Sequence, residues 1–100
     1  MIKHIVAWRI KAAKGRTKQE NIQMLKRRLE ELPSLIPEII TMSVNTNSPM
    51  AKPDNYDIII ESEFESMEAL KRYSDHPSHL ALIELLSEIR TDKAAVDYEV

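Results

Sequence analysis

Ile2-Lys3-His4-Ile5-Val6-Ala7-Trp8-Arg9-Ile10 is the stretch on which the fold turns. Ile2, His4, Val6, Trp8 and Ile10 share one parity, and Lys3, Ile5, Ala7 and Arg9 share the other. Side chains that alternate with a period of two belong to a β-strand. The first parity is apolar except for His4, so it faces a core. The second sets Ile5 and Ala7 between two cations, so the opposite face of the strand also carries apolar surface.

After this strand Lys14-Gly15-Arg16 forms a turn around the only glycine of the chain, and Thr17-Lys18-Gln19-Glu20 reads as a capping box that opens a helix. Ile22, Leu25, Leu29 and Leu32 recur at helical spacing, with Lys26-Arg27-Arg28 on the wet side, and Pro33 and Pro37 are expected to close the helix. Residues 39–47 are rich in β-branched side chains and predict a second strand. Residues 48–55, with two prolines, predict a loop. Residues 56–64 alternate Tyr56, Ile58, Ile60, Ser62 and Phe64 against Asp57, Ile59, Glu61 and Glu63, the pattern of a third strand. Ser66 caps a short helix that reaches Tyr73, and Pro77 opens a last helix with Leu82, Leu85, Leu86 and Ile89 on one stripe. Residues 94–100 alternate again and predict a fourth strand, anchored by Asp97 and Tyr98.

The order β-α-β-β-α(α)-β is that of a ferredoxin-like α+β unit, with a four-stranded antiparallel sheet and its helices on one face. The other face needs a cover. Strands with isoleucine on both parities meet that need most simply by packing on a second copy, so a homodimer joined sheet to sheet is expected.

Composition narrows the function. One hundred residues with 43% hydrophobic content suit one domain over residues 1–100. Fourteen Lys and Arg against 16 Asp and Glu give a net charge of −2, which draws the chain toward neither nucleic acid nor an anionic membrane. There is no cysteine, so disulfides, thiolate nucleophiles and zinc-thiolate sites are all excluded. This suits a reducing, cytoplasmic setting. No apolar run approaches the roughly 20 residues of a membrane span, and Lys3 and His4 interrupt the N-terminus before a signal-like segment forms. The residues name no cofactor, and the three histidines have no spacing that makes a metal site.

Chemistry concentrates in Tyr73-Ser74-Asp75-His76-Pro77-Ser78-His79. With Pro77 at the head of a helix, His79 falls in its first turn, where the helix dipole favours a neutral, base-competent imidazole. Tyr73 ends the preceding helix and can face the same space, and His4 enters it from the core-facing parity of strand one. An imidazole, a phenol and a second imidazole in an apolar pocket are groups suited to proton transfer beside a carbonyl. His76 and Pro77 are read as the structural corner, and Val6 and Trp8 as pocket wall.

Met1-Ile2-Lys3-His4-Ile5-Val6, Leu35-Ile36-Pro37-Glu38-Ile39, Asn55-Tyr56-Asp57-Ile58-Ile59-Ile60, Phe64-Glu65-Ser66, then Leu70, Tyr73, His76-Pro77-Ser78-His79 and Val96-Asp97-Tyr98, taken in order, resemble the stress-responsive dimeric A/B barrel (Dabb) family. The resemblance implies a ferredoxin-like fold paired into a dimeric α+β barrel. A plant polyketide cyclase of that family uses a Tyr and a His for an aldol cyclisation, and those roles fall by motif on Tyr73 and His79, with His4 as a further pocket residue. Trp8 stands where the cyclase has a smaller aliphatic side chain, which narrows the room for a long ligand. Three readings stay open: a small-ligand-binding dimer, a cofactor-independent cyclase or isomerase, and a dimerisation module with a filled pocket.

Overall fold

The computed structural model describes residues 1–100. Its elements are β1 (Ile2–Ile10), α1 (Lys18–Leu35), β2 (Thr41–Thr46), β3 (Ile58–Phe64), α2 (Met67–Asp75), α3 (Pro77–Ile89) and β4 (Arg90–Glu99). The four strands form one antiparallel sheet in the order β2-β3-β1-β4, with the helices packed on one face. This is the ferredoxin-like arrangement expected from the alternation.

The link from β1 to α1 is built from turn and cap chemistry. Ala13 and Arg16 exchange two backbone hydrogen bonds of 3.1 Å across Lys14 and Gly15. Both central residues have positive φ, 56° and 74°, the signature of a tight primed turn. At the start of α1, Thr17 accepts from the Glu20 amide at 3.1 Å while Glu20 accepts from the Thr17 amide at 2.8 Å. The fully buried Asn21 joins the two features. Its Nδ2 donates to the Lys11 carbonyl at 2.9 Å, and its Oδ1 accepts from Arg16 Nε at 2.7 Å.

Ile22, Leu25, Leu29 and Leu32 bury the apolar stripe of α1 against the sheet. The helix runs two residues past Pro33, where the sequence pattern predicted its end. The Ile36 amide still donates to the Leu32 carbonyl at 2.9 Å, and the burial of Leu32 and Ile36 on either side holds the last turn closed. Strand limits differ from expectation for a similar reason, because pairing partners set them. Asp57 is tied to β1 before β3 begins, through its amide to the Trp8 carbonyl at 2.9 Å. β4 starts at Arg90 rather than at residue 94, since it leaves α3 without a loop and pairs at once with Ile10, Arg9 and Trp8. Its first four residues are polar because β4 is an edge strand, exposed along its whole length.

The core lies between the helices and the inner face of the sheet. Ile2, Val6, Trp8 and Ile10 come from β1, Ile58, Ile60 and Phe64 from β3, Val44 from β2, and Leu70, Tyr73, Leu82, Leu86 and Ile89 from α2 and α3. Burying each large side chain contributes about 1.5–3 kcal/mol. Two further buried polar groups stitch the sheet. Ser62 Oγ donates to the His4 carbonyl at 3.1 Å, and the Asp57 carboxylate accepts from the Ile10 amide at 2.8 Å while lying 3.2 Å from Lys18 Nζ.

Asp57 is buried and Lys18 is half exposed, so the backbone bond should matter more than the ion pair. In urea unfolding, Asp57→Ala is expected to cost about 2 kcal/mol by stranding the Ile10 amide. Lys18→Ala is expected to cost less than about 1 kcal/mol.

Candidate functional site

The corner between α2 and α3 positions the chemistry. Ser66 caps α2 by accepting from the Ala69 amide at 3.1 Å, and the helix carries the buried Tyr73 near its end. His76 then closes α2 and caps α3: its Nδ1 accepts from the Ser78 amide at 3.1 Å, and its carbonyl accepts from His79 and Leu80. Pro77 occupies the first turn, where a missing N–H costs no helical bond. The imidazole of His76 is occupied by the turn, and it is His79, one position after Ser78, that turns inward.

His4, Tyr73 and His79 converge. The Tyr73 and His79 ring centroids are 4.5 Å apart, and those of His4 and Tyr73 are 6.0 Å apart. Phe64 braces the cluster from below, 4.9 Å from Tyr73 and 6.0 Å from His4. Together with Val6, Trp8, Ile60, Ser74, Leu82, Ile83, Leu86 and Lys93, the three residues line a cavity of about 90 Å³ between helices and sheet. All three histidine-and-tyrosine positions singled out by the sequence for chemistry, and both wall residues Val6 and Trp8, therefore meet at one place; His76 and Pro77 do not line it.

Hydrogen bonding fixes which ring nitrogens are available. His79 Nδ1 lies 2.9 Å from the Ser74 carbonyl, which only accepts, so Nδ1 carries the proton and the neutral ring presents Nε2 as a lone pair. His4 Nδ1 donates to the Asp97 carboxylate, which orients its ring in the same sense. The Tyr73 hydroxyl has no side-chain or backbone partner, yet no side-chain polar atom is both sealed from solvent and unpartnered, so the phenol oxygen opens on the cavity.

Burial tunes two of these groups to the neutral state. It pushes the Tyr73 phenol up to about 12. It also lowers His79 below the ordinary imidazole value; the Ser74 carbonyl opposes this, and the charges of His4 and Lys93 add to it. At neutral pH the cavity thus holds a phenol able to donate and an imidazole able to accept.

Asp97 and Lys93 escaped the sequence reading as site residues. Both lie on β4, and their place follows from its register with β1, which sets Asp97 opposite His4 and Lys93 opposite Trp8. The alternation of residues 94–100 gave the parity of Asp97 but not its partner, and Lys93 lay outside the expected strand. A larger cleft of about 230 Å³ opens near the start of α1, lined by Lys18, Asn47 and Asp57 among others, but its lysine is engaged by Asp57.

A lowered His79 has a thermodynamic consequence. Its folded pKa lies below the unfolded value near 6.5, so its contribution to stability is present above that pH and is lost as pH falls through the folded pKa. In an NMR titration, His79 is expected to titrate with a midpoint below 6.5. The stability it contributes should decline with acidification over the same range, and His79→Gln should remove that part of the pH dependence. A midpoint at or above 6.5 would contradict the burial of the ring.

Comparison with known proteins agrees with this architecture. The family described as the stress responsive A/B barrel domain matches residues 2–100. A dimeric protein of unknown function with a ferredoxin-like fold from Bacteroides fragilis superposes with a TM-score of 0.82 at 30% identity, covering 99% of this chain and 95% of its own. A Dabb family protein from Mesorhizobium loti gives 0.77 at 20% identity, covering 99% and 95%. A hydroxynitrile lyase from Passiflora edulis gives 0.76 at 19% identity, covering 99% and 92%; at that identity the likeness is one of fold. No curated protein sequence matches the chain. On the full-length match and the shared fold, the chain belongs to the stress responsive A/B barrel domain family.

Proposed function

We propose that this protein is a homodimer, a single domain per protomer, that binds a small molecule in the cavity between helices and sheet. The observation that carries the ligand reading is the convergence of His4, Tyr73 and His79 on one largely apolar cavity, with His4 Nε2, Tyr73 Oη and His79 Nε2 left unused by the protein's own hydrogen bonds. A few polar atoms with free hydrogen-bonding capacity, set beside apolar walls, are what a small-molecule site needs to orient its ligand. His4, Val6 and Trp8 are the binding wall, with Tyr73 and His79 at the reactive end. Trp8, buried and lining the cavity, restricts the ligand to a short one.

The homodimer reading rests on the outer face of the sheet. Ile5, Ala7 and Ile59 lie beside Ala94, Val96 and Tyr98 in register, and Val96 and Tyr98 are 58% and 45% exposed. An apolar patch across three adjacent strands, rimmed by Lys3, Arg9 and Glu61, is the surface of an interface rather than of a solvated sheet. Similar solved structures, the Bacteroides fragilis protein among them, are described as dimeric.

A second reading, catalysis without a cofactor, is favoured by the pairing of a neutral imidazole and a neutral phenol. His79 Nε2 would take a proton from the carbon α to a ligand carbonyl, and the Tyr73 hydroxyl would hydrogen-bond the oxygen on which negative charge develops. Cyclase and isomerase reactions share that step. Against the third reading, a module for dimerisation alone, stands the contact between Tyr73 and His79 around a space that side chains leave open.

Light scattering at micromolar concentration is expected to give twice the 11.6 kDa protomer mass, and Val96→Lys is expected to shift it toward one protomer. A single-protomer mass for the unmodified protein would refute the dimer. For the pocket, native mass spectrometry against a metabolite extract should identify a retained carbonyl compound. Exchange of its α-hydrogens with deuterated water should then slow by about 10²–10⁴-fold in His79→Gln if His79 is the base. Equal exchange in the two proteins would remove His79 from the chemistry and leave binding alone.

A further inference from the structure

We propose that the ligand of this cavity is an anion, a short oxo-carboxylate, whose carboxylate is held by Lys93 at the mouth while its carbonyl reaches the His4, Tyr73 and His79 end. This rests on the reading of the cavity as a ligand site. Lys93 lies on the inner face of β4, directly across from Trp8, and lines the cavity together with Ile83. Its ammonium takes part in none of the eight ion pairs of the molecule.

The surrounding acids are committed elsewhere. Asp92 points to the other face and pairs with Arg9 at 3.4 Å. Asp97 shares the inner face but lies four residues along the strand, about 13 Å away at the usual rise, and is bound to His4. No Asp or Glu lines the cavity itself. Its one permanent charge is therefore a cation beside low-dielectric walls, an arrangement that concentrates anions. Lys93 and His79 line the same cavity, which places the lysine and the imidazole on one ligand-sized space.

Size sharpens the class. A volume of about 90 Å³ corresponds to roughly three water molecules, so the enclosed part of a ligand is a chain of a few heavy atoms. With the carboxylate left at the half-open mouth, its desolvation is partial and a charge-assisted hydrogen bond to the lysine suffices to retain it.

Acetoacetate and its neutral isostere acetoacetamide test the proposal, with the fluorescence of Trp8, the only tryptophan, as the reporter and calorimetry as the check. The unmodified protein is expected to bind acetoacetate about fivefold to tenfold more tightly than the amide at low salt. Lys93→Met should abolish that preference and Lys93→Arg should keep it. Equal affinity for the two compounds in the unmodified protein, or a preference that survives in Lys93→Met, would overturn the role of Lys93 while leaving the pocket reading in place. Failure of both compounds to bind would overturn the oxo-carboxylate proposal, and failure of the metabolite extract to yield any retained compound as well would overturn the pocket reading with it.

Discussion

Everything at the helix–sheet interface depends on the register of β1 between its two neighbours. From Ile2 to Trp8 each inner residue of this strand is paired on both sides: Ile2 with Phe64 and Glu99, His4 with Ser62 and Asp97, Val6 with Ile60 and Ala95, Trp8 with Ile58 and Lys93. A slip of one residue would carry His4 and Trp8 to the outer face and bring Lys3 and Ile5 into the core. Several bonds guard against it. The Asp57 carboxylate and amide clasp Ile10 and Trp8 at one end, the Lys11 amide donates to the Ile89 carbonyl at 2.8 Å, and Val100 donates to Met1 at the other end. The bulge between Arg9 and Ile10 lets β4 leave α3 directly while keeping the rest of the pairing in step.

On this frame the corner at His76 and Pro77 acts as a positioning device. Capping both helices from one residue sets the distance between Tyr73 and His79, and Phe64 from β3 fixes the phenol from the other side. Burial then does two things at once. It packs Tyr73 into the core, and it holds phenol and imidazole neutral by penalising their charged forms. The same packing that stabilises the fold thereby sets the protonation state of the two groups that face the cavity.

Much of this was legible in the chain. The alternation of β1, the stripe of Ile22, Leu25, Leu29 and Leu32, the caps at Thr17 and Ser66 and the turn at Gly15 all report local geometry, and each appears where the pattern put it. Local rules misjudged Pro33, which the buried Leu32 and Ile36 override, and the polar start of β4, which an edge strand accommodates. Asn21 and Asp57 gave no signal either, since an Asn in a helix and an Asp before a strand are ordinary residues until their partners arrive from other elements.

The sequence by itself determined the elements, their order and the inward parity of His4 and Trp8, because side-chain periodicity and capping are properties of neighbouring residues. Only the tertiary structure decided that Asp97 orients His4, 93 residues away, and that Lys93 stands across from Trp8 at the cavity mouth. Those contacts follow from strand order and register, which arise from the packing of distant segments around one core and have no trace in the spacing along the chain.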